Sequence, residues 1–392
     1  RSATTTIDLQ TYIFDEDDAG QLFIDELLLA ARRGVRVRLL VDQLSALKRV
    51  ETLAALAGAH ANFSLRIYNP VLGRARLSYP QYVLAAACCW GQLNRRMHSK
   101  LLLVDGAVGI TGGRNYQDDY YDWDPEYNFR DRDVLVAGPA ARAMAANFDA
   151  FWDDPRSVPP SRLVDVGGAL LEDGVPPPPV PDYAMPERVA EVGREASDPA
   201  RVGALAAAAL PVGAVHYIAV LPQKHETEET GHGRATTVLR TLIESADDVV
   251  LLQTPYLVLS DPAQDMFRAL HERADAPRVI VSTNSLAATD SFITYALSYK
   301  YKRRYLRDFG FEIHEFKPFP ASAPIDLSAT GATLPPVPSA EEVEQVRREL
   351  LEARRLRGSQ AERYRRPLQA EYAALRYARR SANARLPLER AG

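Results

Sequence analysis

The sequence has only two cysteines, Cys88 and Cys89, and they are adjacent. This number and spacing exclude a disulfide framework and provide no metal-binding cysteine pattern. No apolar run reaches the roughly 18 residues that a membrane-spanning helix needs. The formal net charge of −4 disfavours a non-specific nucleic-acid binder, because such proteins usually carry a strongly basic face.

The bulk composition is that of a folded protein larger than one domain. Hydrophobic residues make up 46% of the 392 residues and charged residues 25%, which is typical of globular cores. The length favours two domains. The sequence begins at Arg1, without an initiator methionine or an apolar signal segment. We therefore expect a fragment, in which a missing targeting signal carries no information.

Strand and helix patterns alternate through the first 156 residues. The stretch "TIDLQTYIF" (6–14) predicts a strand, and "GQLFIDELLLAARRG" (20–34) predicts an amphipathic helix that ends at Gly34. With the next strand, "VRVRLLVD", they form the strand–helix–strand unit of a parallel α/β sheet. Further strands are predicted at "FSLRIYNP", "HSKLLLVDG", "VGITGG" and "RDVLVAGP", followed by a helix at "AARAMAANFDAFWDD".

A proline-rich stretch separates this half from a second half that repeats its pattern. Residues 157–200 include four consecutive prolines, which fit neither a helix nor a central strand, so we predict an extended linker there. Beyond it, "DDVVLLQTPYLV", "AQDMFRALHERA", "PRVIVSTNS" and "FGFEIHEFKP" repeat the strand, helix, strand and strand of the first half. The predicted domains are therefore residues 1–156 and 201–392.

The chemistry-bearing stretch is "RRMHSKLLLVDGAVGITGGRN" (95–115). Residues two apart on a strand point to the same side, so His98 and Lys100 are predicted to share one space. An imidazole beside a fixed cation suits attack on a phosphate ester, because the cation neutralises the non-bridging oxygens while the ring nitrogen attacks phosphorus. His98 and Lys100 are therefore the candidate catalytic pair.

The glycines and polar residues that follow have predicted supporting roles. Gly112 and Gly113 allow close approach of the backbone, and Asn115 can donate its amide to the same phosphate oxygens. Asp105 ends the strand at an Asp-Gly turn, where organising the turn or pairing with a base is favoured over touching substrate. As motif residues, Asp105 and Asn115 are counted with His98 and Lys100 among the candidate catalytic residues.

The order His98-x-Lys100, Asp105 and Gly112-Gly113-x-Asn115 has the spacing HxK(x)4D(x)6G[GS]xN. With this signature the chain resembles the phospholipase D superfamily. The segments "GGRN", "EYNFRDRDVLVAGP", "TPYLV" and "TNSLAATD" are similar to its cardiolipin synthase-like bacterial branch. The resemblance implies an α/β fold of two pseudo-symmetric lobes, each a mixed β-sheet flanked by helices. It also implies a phosphatidyltransferase or phospholipase D that works through a phosphohistidine intermediate without a metal or cofactor.

The resemblance assigns roles to four more residues. In relatives, a carboxylate at the start of the strand after the motif hydrogen-bonds the catalytic histidine. Asp131 best matches that position here, and Asp133 is the competing choice. Tyr12 and Tyr256, at equivalent strand ends of the two repeats, are predicted to line the cleft, with strand-end packing as the alternative.

The family carries one such motif in each lobe, but the other six histidines here lack a lysine two residues later. We expect that the sequence stops before the second motif and that these residues alone are inactive. A bacterial protein peripheral to the inner membrane or cytoplasmic, acting on anionic phospholipid, is the favoured interpretation. A superfamily nuclease and a non-catalytic phosphate- or membrane-binding module remain alternatives, and no nucleic-acid partner is expected. The oligomeric state is left open.

The last part of the chain, from about residue 339, predicts a basic helical insertion. Ser339 and Glu342 have capping-box spacing, and residues 341–392 contain thirteen arginines and eight glutamates. An apolar stripe of Val343, Val346, Leu350 and Leu351 suits either membrane-surface binding or packing within the protein.

Overall fold

The computed structural model describes residues 1–45, 47–124, 127–222, 234–316 and 338–355, and also 368–369, 371–372, 375–376 and 379. The chain forms two compact units, of which unit 1 runs from Arg1 to Leu239 and unit 2 begins at Arg240. The described elements follow in chain order: β1 (Thr6–Thr11), α1 (Asp18–Arg32), β2 (Arg36–Asp42), α2 (Val50–Gly58), β3 (Phe63–Tyr68), α3 (Tyr79–Cys88), α4 (Trp90–Leu93), β4 (Leu101–Val104), β5 (Val108–Gly112), β6 (Asp133–Ala137), α5 (Pro139–Trp152), β7 (Ser157–Val158), α6 (Val164–Asp173), α7 (Pro186–Ala196), α8 (Pro199–Ala207), α9 (Arg234–Glu244), β8 (Val249–Gln253), α10 (Asp261–His271), β9 (Arg278–Asn284), α11 (Phe292–Asp308), β10 (Glu312–Phe316) and α12 (Ala340–Arg355).

Unit 1 is built on a seven-stranded mixed sheet in the order β6-β5-β4-β1-β2-β3-β7. Strands β1, β2 and β3 are parallel, as the strand–helix–strand pattern predicts, whereas β4, β5, β6 and β7 join antiparallel. The predicted hairpin is confirmed, because Asp105 and Gly106 turn β4 into β5 with φ angles of 52° and 62°. The mixed α/β fold predicted for this half is therefore confirmed.

Helices cover both faces of this sheet. On one face Ile24, Leu27 and Leu28 of α1 pack in a core with strand residues such as Leu9 and Leu39. Helix α1 is capped by Asp17, whose carboxylate accepts from the Gly20 N–H, and it ends before Gly34 with φ +95°. On the other face, α5 packs aromatic side chains against β4. Strand β4 therefore lies inside the sheet with a core beneath it.

The segment predicted as a linker, residues 157–200, lies within the compact unit that ends at Leu239. Residues 157–173 belong to unit 1, because β7 pairs with β3 and Val166 of α6 is fully buried. The Asp165 carboxylate also accepts from the Ala75 and Arg76 N–H groups. Of the predicted linker, residues 174–185 around the four prolines form neither helix nor strand, which is the part that proline dictates directly.

Unit 2 repeats the parallel half of unit 1. Its described strands have the order β10-β9-β8 and are parallel. The succession β8, α10, β9, α11, β10 thus matches β1, α1, β2, α2, β3, and the predicted internal repeat is confirmed. Its core is aromatic and includes Phe267, Tyr305, Phe309 and Phe311.

Helix α12 begins at the predicted capping box. The Ser339 N–H donates to the Glu342 carboxylate, and the Glu342 N–H donates to Ser339 Oγ. Val346 and Leu350 of its apolar stripe are buried, which fits packing within the protein rather than presentation to a membrane. Most of the basic tail beyond it lies outside the described residues.

Candidate active site

The motif residues lie where β4 begins. Strand β4 starts at Leu101 rather than at His98, so His98 and Lys100 lie just before it. The ladder ends there because Leu101 is the last residue that pairs with both neighbours, Gln10 on one side and Thr111 on the other. His98 and Lys100 are thereby placed at one end of the sheet, directly before the first paired residue of β4.

His98 and Lys100 meet in one space, as the spacing predicts. The Lys100 Nζ lies 3.0 Å from His98 Nδ1 and 3.4 Å from Nε2, and it also donates to the His98 carbonyl oxygen at 3.0 Å. The His98 side chain is exposed and Lys100 is buried. An ammonium group only donates, so the ring nitrogen that faces it accepts through its lone pair.

Burial also changes the pKa of Lys100. It lowers the pKa of Lys100 to about 8, and the carboxylate of Asp131 limits the drop. Burial raises the pKa of Asp131, and the positive charge of Lys100 partly offsets this rise. The structure therefore shows an electrostatic contact of Asp131 with the lysine of the pair. The contact with the histidine that the resemblance implies stays a prediction.

Tyr12 is brought to the pair. Its ring centroid lies 4.7 Å from that of His98, and the Lys100 Nζ lies 5.7 Å above the tyrosine ring. The ring faces an imidazole and a cation at once, which limits the rotamers open to His98. Tyr12 thus lies beside the candidate catalytic residues, and its place in a substrate cleft stays a prediction.

Asn115 fixes the backbone around Tyr12. Its Oδ1 accepts from the Ile13 N–H at 3.1 Å and from the Thr11 hydroxyl at 3.5 Å. The residue is buried, with 2% of its surface exposed. These hydrogen bonds occupy the amide oxygen of Asn115, so the amide nitrogen remains as the donor. Donation from this nitrogen to a phosphate oxygen is the role predicted from the sequence.

The glycine pair makes room for two carboxylates. A methyl group at Gly112 would overlap the carboxylate of Asp133, and one at Gly113 would overlap that of Asp131. Asp133 is bound by the Arg114 guanidinium at 2.7 Å, so Asp131 is the carboxylate left to face Lys100. The structure therefore favours Asp131 over Asp133 for the carboxylate of the site.

We expect Gly113→Ala to lower the free energy of unfolding by about 1–3 kcal/mol, because the new methyl group must displace the Asp131 carboxylate. Adding Asp131→Ala should recover most of that loss, since it removes the two overlapping carboxylate atoms and leaves Cβ of residue 131 at 3.4 Å, an ordinary van der Waals contact. Urea denaturation of the two single variants and the double variant gives the coupling energy.

Gly168→Ala serves as the matched control, because a side chain at this position in α6 meets nothing within 4 Å. It should be neutral or slightly stabilising. Additive losses in Gly113→Ala and Asp131→Ala would show that the two positions are not in contact.

Asp105 lies at the opposite end of β4 from Lys100 and holds the start of β1. Its carboxylate accepts from the N–H groups of Thr4, Thr5 and Thr6 and from the hydroxyls of Thr4 and Thr5. Burial by itself would raise the pKa of Asp105, but these hydrogen bonds lower it well below its ordinary value. The structure gives this residue a role in joining β4 to β1, which agrees with the turn-organising role expected from its place at the strand end.

Two residues that the sequence interpretation overlooked position the motif. Asp42, at the end of β2, is fully buried and accepts from the Met97 N–H and the Arg96 guanidinium, both at 3.1 Å. Asn69 donates to the carbonyl oxygens of Gln92 and Arg95 at 2.8 Å. An Asp and an Asn at the ends of successive parallel strands were the available signal, because such ends meet at one edge of a sheet.

A cavity of about 260 Å³ opens beside Lys100 in unit 1. Leu102, Ile110 and Tyr116 give it an apolar wall, and Arg114 adds a second cation to its lining. A larger hollow of about 440 Å³ lies in unit 2 on α11 and contains none of the predicted site residues. The first cavity therefore adjoins Lys100 and Gly112 of the motif, whereas His98 and Asn115 do not line it.

The remaining predictions concern Tyr256 in unit 2, metal sites and membrane-spanning helices. Tyr256 lies after β8 in unit 2, where its hydroxyl donates to Asp290. Among the described residues, no cluster of His, Cys, Asp and Glu side chains is arranged to hold a metal ion. In the same ranges, no helix combines the length and apolar character needed to cross a bilayer.

Residues 1–152 match the family model described as cardiolipin synthase, PLD-like domain. The chain is 30% identical over 319 residues to Cardiolipin synthase C of Escherichia coli (strain K12), an alignment that covers 81% of this chain and 65% of that protein. It is also 30% identical over 193 residues to the cardiolipin synthase of Geobacillus kaustophilus (strain HTA426), covering 48% and 31%. Residues 1–152 are thus similar to the PLD-like domain of cardiolipin synthases. The chain is similar to the cardiolipin synthase-like branch of the phospholipase D superfamily over most of its length.

The chain is shorter than these superfamily relatives. It spans 65% of Cardiolipin synthase C and 62% of an uncharacterized protein of Helicobacter pylori (strain J99 / ATCC 700824), to which it is 28% identical. Among solved structures, the phosphatidylserine synthase of Haemophilus influenzae Rd KW20 is 13% identical, with a TM-score of 0.49 over 81% of this chain and 68% of that chain.

Proposed function

We propose that this chain carries one half of the active site of a phosphatidyltransferase that forms or cleaves phospholipid phosphodiesters, as a cardiolipin synthase does. The observation that carries the proposal is the Lys100 ammonium 3.0 Å from a ring nitrogen of His98. The sequence likeness to cardiolipin synthases supports a phospholipid as the substrate.

The proposed reaction has two displacements at phosphorus. A ring nitrogen of His98 attacks the phosphorus of a diester, the bond to the leaving alcohol breaks, and an acid protonates that alcohol. The resulting phosphohistidine is then attacked by the hydroxyl of an acceptor lipid or by water, which restores the free imidazole. Because charge builds up on the non-bridging oxygens, the Lys100 ammonium and the Asn115 amide stabilise each transition state.

The second half of the site comes from residues other than these 392 in this proposal. The sequence contains one His-x-Lys, whereas the superfamily resemblance implies two. Unit 2 repeats β1 to β3 of unit 1, and in unit 1 the His-x-Lys strand pairs with β1. A second motif is therefore expected in the rest of a longer polypeptide, and the 392 residues alone are expected to be inactive.

Substrate class is the direct test, with the complete protein that contains this chain. Vesicles of phosphatidylglycerol, with or without phosphatidylethanolamine, should yield cardiolipin, detected by mass spectrometry of the extracted lipids. The same protein should leave DNA intact, in keeping with the net charge of −4.

Two results would overturn the proposal. Cleavage of DNA without lipid turnover would identify a nuclease. Binding of inorganic phosphate with no turnover of either substrate would identify a non-catalytic module.

A further inference from the structure

The segment that leads into the motif is unusually free of charge. Residues 77–94 contain no Asp, Glu, Lys, Arg or His. They form α3 and α4, which end five residues before His98. A stretch of 18 uncharged residues at the protein surface can present a large apolar surface area to a partner.

Five large apolar or aromatic side chains of this segment are exposed to solvent. Tyr79 is 81% exposed, Trp90 62% and Leu84 55%, and Tyr82 and Val83 are also exposed. Single exposed apolar residues are common on protein surfaces, but a contiguous group marks an interaction site. The apolar face of α3 and α4 is therefore without a partner among the described residues.

The opposite side of the segment is anchored firmly. Ala85 and Leu93 are buried in a small cluster with Val71. Asn69 holds the carbonyl oxygens of Gln92 and Arg95. The exposed face is thus fixed in position relative to the start of β4, and a partner bound to it would lie at a set distance from His98.

The composition of the face indicates which partner it fits. Tyrosine and tryptophan concentrate at the boundary between lipid and water, where an aromatic body and a polar edge are both satisfied. Arg74 and Arg95 flank the segment, and neither has a carboxylate partner in the described part of the chain. Cationic residues next to the ends of an apolar segment complement anionic headgroups.

We infer that α3 and α4 form a membrane-docking surface that lays its apolar side chains into the headgroup region of an anionic phospholipid bilayer. The inference rests on the proposed function only for the choice of lipid as the partner. Docking here would bring the bilayer to the entrance of the site, so that a lipid headgroup reaches His98 without leaving the membrane.

The experiment measures sedimentation of the protein with vesicles of equal parts phosphatidylglycerol and phosphatidylcholine. We expect Leu84→Asp combined with Trp90→Asp to weaken binding by about tenfold or more, because two inserted side chains become charged. The matched control is Val164→Asp combined with Leu171→Asp, two exposed positions on α6, which adds the same charge and should leave binding unchanged. Circular dichroism confirms that both variants fold.

Tryptophan fluorescence locates the contact. Trp90 is the exposed tryptophan, whereas Trp123 and Trp152 are only 8% and 7% exposed. Vesicles of brominated lipid should therefore quench wild-type emission through Trp90. Equal loss of binding in both double variants, or binding without quenching, would overturn the inference.

A second copy of the chain is the competing occupant of the apolar face. Concentration-dependent dimerisation without lipid, abolished by Leu84→Asp with Trp90→Asp, would overturn membrane docking in favour of self-association. The docking result is independent of the chemistry, because His98→Ala should keep vesicle binding. Absence of lipid turnover would thus count against the proposed function and leave the docking surface standing.

Discussion

Replacement of His98 by alanine is expected to lower kcat for phosphodiester cleavage in the complete protein by at least about 10³-fold. The variant removes the ring that Lys100 and Tyr12 hold in place, so no nitrogen remains to attack phosphorus or to move a proton. Its thermal stability should stay close to wild type, because the His98 side chain is exposed and precedes the first residue of β4. Cardiolipin formation from phosphatidylglycerol is the measurement.

His216→Ala is the matched control, since His216 is also exposed and lies outside the motif; it should retain full activity. Denaturation of the protein in detergent at neutral to mildly alkaline pH, with lipid labelled at phosphorus, separates the two roles open to His98, because acid would hydrolyse a phosphorus–nitrogen bond. Label that stays on wild-type protein and is absent from His98→Ala assigns the nucleophile to His98. Full turnover by His98→Ala would remove this residue from the mechanism.

The local features of the site could be predicted from the sequence. The spacing of His98 and Lys100 places both side chains together, because alternate residues of an extended chain share a side. Asp105 and Gly106 predict a turn with two positive φ angles, and both residues have positive φ angles in the structure. These features depend on a few neighbouring residues, so the sequence contains the information needed for them.

Contacts over long sequence distances could not be predicted. The choice between Asp131 and Asp133 depends on how β5 and β6 align, which pairs Gly112 with Asp133 and assigns that carboxylate to Arg114. The contact of Asp42 with Met97 joins residues 55 positions apart. No local pattern encodes such a pairing, because it follows from the packing of the whole sheet.

The domain division illustrates a conflict between composition and packing. The prolines near residue 176 predict an extended segment, and residues 174–185 form neither helix nor strand. The predicted linker also includes residues on either side of this segment, and these form the helices α6 and α7. Val166 is buried and Asp165 binds the backbone at Ala75 and Arg76. Burial of its apolar face stabilises α6 as a helix, although the neighbouring sequence is rich in proline.

Replacement of Lys100 by methionine is expected to lower kcat/KM by about 10²–10³-fold, the usual cost of removing one charged donor from a developing anion. Methionine has a similar length and fills the buried position, so the loss reports the charge. Lys48→Met is the matched control, because Lys48 is an exposed lysine paired with Asp15. It should change activity by less than twofold, about what loss of a surface ion pair allows.

The pH dependence distinguishes a catalytic role of Lys100 from a structural one. Burial lowers the pKa of Lys100 to about 8, so wild-type activity should fall as pH rises through about 8, when the ammonium loses its proton. Stability should move in the opposite direction. The unfolded chain holds this proton up to the ordinary lysine pKa of about 10.4, so the folded state gains stability between the two values. An alkaline loss of activity that accompanies unfolding, or that persists unchanged in Lys100→Met, would show that the titrating group is not Lys100.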